Sequence, residues 1–522
     1  MQEVLIGGEW RPATVGDAFR AVEPAMGRER DEIWPVSDWA DVDRVLDAAV
    51  EAAEDLRLLP DAARGEFLER YAARLENVRD ELVAVAHAET GLAVAPRLRD
   101  VEVPRMLDQL RQAAAAAREG TWRMPMLDTT RNIRSAAFGL GPVVVFPPAN
   151  FPLAYGAVTG GDFAAAIAGG NPVIAKAHPG CPGVSAIAAR AALAAVEETG
   201  LPAATVQLLH GLSMADGLRL VADKRVGATG FTGSEQAGRA LYAAASAAGR
   251  VIWVEMGSIN PVVLLPGALA EHGAAIAGEL VESVTGSAGQ FCTKPGLVLF
   301  VADSAGQAFA AAVATRMAAI GPQVLLGPGG RARLDVAVEA LVAAGARLVV
   351  AGGGDDVAAP CSRAPTLLEI AAASFLARPE SFLVEAFGNA TLLVACADVG
   401  ELTRAVAEAR GSLGASLYAA ADGRDDALWA DVAPLVVARA GRIIENRMPT
   451  GLAVTPPMQH GGPWPSAAPP FFSAVGMPFS ILRFARRICF DGWSERRLPE
   501  CLRDAPPSGR PWRFIDREWV RR

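Results

Sequence analysis

Between Val143 and Val254, five short and continuously apolar runs alternate with four stretches of helical spacing. Val143-Val144-Val145-Phe146 precedes an apolar helix expected from Leu153 to Ala168, and Pro172-Val173-Ile174-Ala175 precedes one from Pro182 to Thr199. Thr205 to Leu209 precedes a helix near Ala215 to Ala222, Val226 to Phe231 one from Glu235 to Ala248, and Val251-Ile252-Trp253-Val254 closes the series. Strands that are apolar at every position, rather than at alternate ones, are buried on both faces. The pattern therefore predicts an α/β fold with a parallel sheet covered on both sides by helices. Ligands of such sheets bind at the carboxyl ends of the strands. Those ends here carry Asn150, Lys176, Gly211, Ser234 and Glu255.

The first 120 or so residues read mainly as helices, over Asp41 to Leu56, Ala62 to Glu76 and Asp80 to Glu89, with Gly91 as a left-handed stop. Thr121 to Ala137 reads as a hairpin arm. A second α/β block runs from about 256 to 445, with strands near Val262-Leu265, Leu297-Val301, Arg347-Ala351, Thr391-Ala395 and Ser416-Ala420. Gly352 to Gly354 with Asp355-Asp356 reads as a surface loop. Residues 449–480 are Pro- and Gly-rich and irregular, and a loop of that length is usually functional or interface-forming. A late strand is expected from Ser480 to Phe490, before a polar, Pro-interrupted tail.

The formal charge of -9, with Lys and Arg scattered, argues against nucleic acid or an anionic membrane as partner. No apolar run reads as a membrane span, and Met1-Gln2-Glu3-Val4-Leu5-Ile6 lacks the basic start of a secretory signal. The six cysteines (Cys181, Cys292, Cys361, Cys396, Cys489, Cys501) are far apart and form no cluster with the five histidines. That predicts no metal site, no disulfide scaffold, and a reducing cytoplasm.

Of these cysteines Cys292 stands out. Gly289-Gln290-Phe291-Cys292-Thr293 places a thiol in a small, turn-prone stretch after a Gly- and Ser-rich run from Ser283. A free cysteine is most often a buried, inert thiol. The surrounding motifs favour presentation to a cleft instead. Glu255-Met256-Gly257 offers a carboxylate at a strand end, Asn150-Phe151-Pro152 an amide, and Phe231-Thr232-Gly233-Ser234 a glycine-edged helix start suited to a phosphate.

Together with Val173-Ile174-Ala175-Lys176-Ala177-His178-Pro179, Glu385-Ala386-Phe387-Gly388, Pro449-Thr450-Gly451 and His460-Gly461-Gly462-Pro463, these stretches occur in an order that resembles the aldehyde dehydrogenase superfamily. The nearest resemblance is to its NADP-preferring 2,5-dioxopentanoate (α-ketoglutaric semialdehyde) dehydrogenases. The resemblance implies a Rossmann-like cofactor domain (1–121 and 141–254), an α/β catalytic domain (255–479), a β oligomerisation arm (122–140 and 480–490) and a C-terminal tail (491–522). It implies Cys292 as nucleophile, Asn150 with the Cys292 backbone N–H as oxyanion donors, and Glu255 as the base that activates water. It also implies a cofactor held by Lys176, His178, Gly211, Gly233, Ser234, Glu385 and Phe387. Phe151 and Arg447 are candidates for contact with the substrate. No GxGxxG fingerprint is present. Many NAD-using members carry a glutamate three residues after the lysine; Pro179 stands there instead, so NADP is expected, with NAD also possible. The expected reaction is oxidation of a semialdehyde to its acid by a homodimer or homotetramer. The alternatives are a broad-specificity aliphatic or aromatic aldehyde dehydrogenase and a non-catalytic binding protein on the same fold. A CoA-acylating enzyme is disfavoured by the presence of Glu255, and a cysteine hydrolase because no motif places a histidine beside the thiol.

Overall fold

A computed structural model of the chain describes residues 1–352, 360–505 and 511–521. Of the surface loop expected around Gly352, the positions from Gly353 through Asp355-Asp356 lie outside the described residues.

The five apolar runs form the parallel centre of an eight-stranded sheet. In spatial order they are Val206–Leu209, Val173–Lys176, Val143–Phe146, Ala228–Thr232 and Val251–Glu255. Successive side chains point to opposite faces, and both faces are filled. Val143, Val145, Val173 and Leu208 pack with Phe67, Tyr71 and Phe163 on one side. Val144, Ile174 and Leu209 pack with Val42, Val45 and Leu46 on the other. From Val143–Phe146 the chain moves outward one way, and from its neighbour Ala228–Thr232 it moves the other way. That reversal opens a crevice at the carboxyl ends of the two strands, where Asn150 and Ser234 follow.

A seven-stranded sheet forms the second layer system, in the order Arg347–Val350, Thr366–Ala371, Ala390–Cys396, Leu297–Val301, Pro261–Leu264, Ser412–Tyr418 and Ala440–Glu445. Only its first pair is antiparallel. Thr366–Ala371 and Ala440–Glu445 had no counterpart in the sequence reading. A third sheet pairs Ala485–Asp491 with Ile133–Gly139 along seven residues. The tail, to which the sequence assigned no structure, adds Trp512–Ile515 and Glu518–Arg521 to that sheet.

Two expectations need correction. The first 37 residues are short strands rather than helices, and Val4–Ile6 joins the edge of the large sheet through Leu5 opposite Leu208. Strands of two to five residues are too short for periodicity to register. The helix expected from Leu153 occupies only Gly161–Ala168. Upstream of it the backbone turns, with the Glu102 carboxylate accepting from Leu153 N at 2.9 Å and Ala154 N at 3.0 Å. Gly161 has no room for a side chain, since a Cβ there would lie 2.1 Å from the Ala474 carbonyl. Among the described residues no helix is long and apolar enough to cross a membrane.

The irregular segment near 480 is pinned to helix Gly161–Ala168 by a buried ion pair and to the large sheet by a hydrogen bond. Arg483 Nη1 meets Asp162 Oδ1 at 2.6 Å with the two side chains 3% and 11% exposed, and Trp253 Nε1 donates to the Arg483 carbonyl at 2.6 Å. Removing one partner strands a buried charge. Arg483→Ala is expected to cost about 3–5 kcal/mol, and Arg483→Ala combined with Asp162→Ala less than the sum of the two. Urea unfolding curves check this, and an unchanged midpoint for Arg483→Ala would refute it.

Candidate active site

The loop that carries Cys292 has an unusual backbone. Helix Pro266–Thr285 ends in a 3₁₀ turn, Gly286–Gly289, in which Ser287, Ala288 and Gly289 all take positive φ. Gly289 needs both its φ of 68° and its bare Cα, because a Cβ would sit 2.3 Å from the Gly388 carbonyl. Buried Gln290 then fixes the loop from both ends of its amide: Nε2 donates to Ser287 O at 3.1 Å, and Oε1 accepts from Leu326 N at 2.6 Å. Asn260 Nδ2 holds the Cys292 and Lys294 carbonyls at 2.8 and 3.0 Å. The thiol remains partly exposed, whereas Cys181, Cys361 and Cys396 are buried.

Asn150 is delivered to the same place. Its side-chain Nδ2 donates to the Gln290 carbonyl at 3.0 Å, which leaves the second N–H of that amide free. Its own carbonyl accepts from Arg97 Nη2 at 2.7 Å, and Arg97 is in turn paired with buried Glu102. Glu255 is the last residue of strand Val251–Glu255 and is 8% exposed.

Between thiol and carboxylate stands His460, to which the sequence reading gave no role. Its Nε2 lies 3.2 Å from Cys292 Sγ and 3.0 Å from Glu255 Oε1. Burial alone would hold the imidazole neutral, but Glu255 and Cys292 outweigh it and raise its pKa from 6.5 to about 10. His460 is therefore an imidazolium at neutral pH. The folded-state pKa is raised, so the stabilisation is fully present below about pH 6.5 and disappears as pH rises through about 10. This overturns the premise on which a thiol–histidine arrangement was set aside. The available signal was one of only five histidines lying beside Gly461-Gly462 in a long irregular segment. A period-based reading cannot place such a residue in space.

The residues assigned to a dinucleotide divide differently. Ser234 caps helix Glu235–Ala247, its Oγ accepting from Ala237 N at 3.4 Å, and Gly233 N donates to the Glu255 carbonyl at 3.0 Å. Lys176 ends its strand half-buried, and among the described residues it has no ion pair; burial lowers its pKa to about 8. His178 is neutral: burial, Lys176 and Arg333 lower it to about 3, and its Nδ1 accepts from Gly180 N at 3.0 Å. Glu385 Oε1 accepts from Ser258 N at 3.0 Å, and its other oxygen lies over Gly257, where a Cβ would be 2.3 Å away. A capped helix start, an unpaired cation and a carboxylate over a bare glycine fit a nucleotide with phosphates and ribose hydroxyls. Phe387 is half-buried two residues beyond Glu385. Gly211 belongs to the packing of a three-stranded sheet, where a Cβ would meet Val36 at 3.0 Å.

Phe151 and Phe291, the neighbours of Asn150 and Cys292, both line a cavity of about 620 Å³. Arg447 does not line it and is exposed.

The Aldehyde dehydrogenase family profile matches residues 10–466. The chain is 39% identical to alpha-ketoglutaric semialdehyde dehydrogenase 2 of Azospirillum brasilense, over 98% of each chain. It is 32% identical to alpha-ketoglutaric semialdehyde dehydrogenase of Acinetobacter baylyi, over 90% of this chain and 89% of the relative. Among solved structures, the gamma-glutamyl-gamma-aminobutyraldehyde dehydrogenase of Burkholderia cenocepacia superposes with a TM-score of 0.80 at 21% identity, covering 94% of this chain and 96% of that one. An aldehyde dehydrogenase of Pseudomonas syringae, crystallised as a mutant with NAD+ and octanal, superposes at 0.78 and 20% identity, covering 94% and 97%.

Loss of the imidazolium removes the positive charge that stands 3.2 Å from the Cys292 sulfur. His460→Asn is expected to slow alkylation of Cys292 by iodoacetamide at pH 7 by about tenfold or more. Peptide mass spectrometry resolves Cys292 from the exposed Cys489, and an unchanged rate at Cys292 would show that His460 does not govern the thiol.

Proposed function

This chain belongs to the aldehyde dehydrogenase family, NAD(P)-dependent oxidoreductases acting on aldehydes, and from that premise we propose that its substrate is 2,5-dioxopentanoate, oxidised to 2-oxoglutarate. The single observation that carries the chemistry is the row Cys292–His460–Glu255, spaced 3.2 and 3.0 Å. In the proposed sequence, Cys292 attacks the aldehyde carbon while His460 holds the thiol proton and Glu255 keeps the imidazolium stable. The free N–H of Asn150 and the backbone N–H of Cys292 receive the developing oxyanion. Bound NAD(P) supplies the acceptor for the hydride. The resulting thioester on Cys292 is hydrolysed by water that gives its proton to Glu255, so one aldehyde, one water and one oxidised NAD(P) yield one carboxylate, one reduced NAD(P) and two protons. A hydrolase triad engages both ring nitrogens of its histidine, whereas here Nε2 alone meets both thiol and carboxylate; the row stands beside a nucleotide cradle in a chain of a dehydrogenase family, and hydrolysis of the thioester is the step it serves.

Lys176, Ser234, Gly233 and Glu385 are the residues proposed to hold the cofactor, with His178 and Phe387 beside them; Gly211 supports them only through packing. NADP is the proposed preference. The charges acting on His178 come from Lys176 and Arg333, with no carboxylate among them, and Pro179 replaces a residue that would repel a 2'-phosphate. His178 is proposed to act as a neutral donor through Nε2 rather than as a cation. The proposed domain division is that of the sequence reading: cofactor domain 1–121 and 141–254, catalytic domain 255–479, arm 122–140 and 480–490, tail 491–522. The substrate reading draws its support from the two relatives bearing the α-ketoglutaric semialdehyde name.

Initial rates with 2,5-dioxopentanoate and with pentanal, each with NADP and NAD, test this. The expected result is a higher kcat/KM for the oxo-acid with NADP, abolished in Cys292→Ala. Equal rates with pentanal would favour the broad-specificity reading, and equal rates with NAD would remove the cofactor preference. Strand Ala485–Asp491 ends its sheet with an unpaired edge, the kind of edge a second subunit covers. Light scattering is expected to give the mass of a homodimer or homotetramer, and a monodisperse monomer would rule this out.

A further inference from the structure

The cavity that opens beside Phe151 and Phe291 is mostly apolar, and no acidic residue lines it. Two arginines do, Arg97 and Arg105. They differ in how their charge is met. Arg97 is paired with Glu102, donates to the Asn150 carbonyl, and lies 4.2 Å from the Phe151 ring centre; its charge is compensated inside the protein. Arg105 donates to the Leu452 carbonyl, and among the described residues it has no ion pair. A guanidinium cannot shed its proton, so the cavity carries one uncompensated positive charge against an apolar wall. Arg105 Cζ stands 5.7 Å from the centre of the Phe151 ring, which itself stands 5.7 Å from that of Phe291, the residue before the nucleophile.

A second group points the same way. Tyr155 is 7% exposed, and its hydroxyl is buried with no hydrogen-bond partner among the described residues. Burial of that kind leaves a donor needing an explanation. The ring packs edge-on to Phe151 at 5.5 Å and lies 6.0 Å from the His460 ring, so it bridges the cavity wall and the catalytic row. Burial pushes the phenol pKa up, Arg105 opposes this, and Glu255 and Cys292 add to it, so the phenol stays protonated and can only gain by donating to an acceptor. Arg105, Glu255 and Cys292 all act on this one hydroxyl.

We propose that Arg105 and Tyr155 form the recognition site for the acid end of the substrate. Arg105 pairs with the carboxylate of a short 2-oxo acid, and the Tyr155 hydroxyl donates to its keto oxygen, while the aldehyde at the other end meets Cys292. This rests on the reading that the chain oxidises an oxo-acid semialdehyde, and it replaces Arg447 as the candidate for carboxylate contact. A site built to bond a polar group rejects an analogue that lacks it, because its own buried groups are then left unmet.

The experiment compares 2,5-dioxopentanoate, 5-oxopentanoate (which lacks the keto group) and pentanal (which lacks both groups) on the full-length enzyme. In Arg105→Met the ratio of kcat/KM for 2,5-dioxopentanoate to that for pentanal is expected to fall about 10- to 100-fold, mostly through KM, with partial recovery in Arg105→Lys. In Tyr155→Phe the ratio of 2,5-dioxopentanoate to 5-oxopentanoate is expected to fall several-fold. Unchanged ratios would overturn the proposal, as would a loss shared equally by all three aldehydes, which would mark Arg105 as a tether for Leu452 alone. Protection of Cys292 from iodoacetamide by 2-oxoglutarate reads the same site without turnover. If the wild-type enzyme shows no preference for the oxo-acid, the substrate reading fails by itself. Protection that is lost in Arg105→Met would then still support the recognition site, and absence of protection in the wild-type enzyme would refute it.

Discussion

His460 reaches the thiol only because residues 449–480 fold back onto the edge of the large sheet. There, Ala467 and Ala468 pair antiparallel with Glu255 and Val254, and Met256 N donates to the Ser466 carbonyl at 2.8 Å. The carboxylate and the chain that carries the histidine are thus fixed to each other by main-chain bonds. The histidine is set by a further bond, His460 N to Ser473 Oγ at 2.9 Å. A segment with few residues of regular structure is in this way held as firmly as a strand, and the 3.0 Å contact between His460 and Glu255 follows from it. A buried imidazolium is tolerable only beside a group of opposite charge, so the contact with Glu255 is also a condition of the row's own stability.

The opposite wall is built on a second buried pair. Glu102 spends one oxygen on Arg97 and the other on two backbone amides, Leu153 N and Ala154 N. Arg97 passes this constraint to the Asn150 carbonyl, and the Asn150 amide passes it to Gln290, two residues before Cys292. Asn150 and the loop that carries Cys292 are therefore positioned by one continuous set of hydrogen bonds.

How far the site could be read in the sequence depended on where each residue sits along the chain. Asn150, Lys176, Ser234 and Glu255 follow apolar runs, and a run of β-branched residues announces both a strand and its carboxyl end. Cys292 lies in a motif whose glycine has a backbone reason to be there. Arg97, Glu102 and Arg105 lie on or beside an amphipathic helix, where a charged residue reads as surface. Nothing in that helix's periodicity shows that the loops at Leu153 and Leu452 would close over it. Tyr155 lay inside a stretch read as helix, and the error hid the turn that directs its ring toward His460.

The sequence by itself determined the parallel sheet, the order of its strand ends and the identity of the thiol, because these depend on local pattern: burial on both faces, strand length and turn chemistry. Only the tertiary structure decided which histidine meets that thiol, and that among the described residues Arg105 has no ion pair and the Tyr155 hydroxyl no hydrogen-bond partner. Those are properties of segments more than a hundred residues apart that come into contact only when the chain has folded, and a pattern read along one segment holds no term for them.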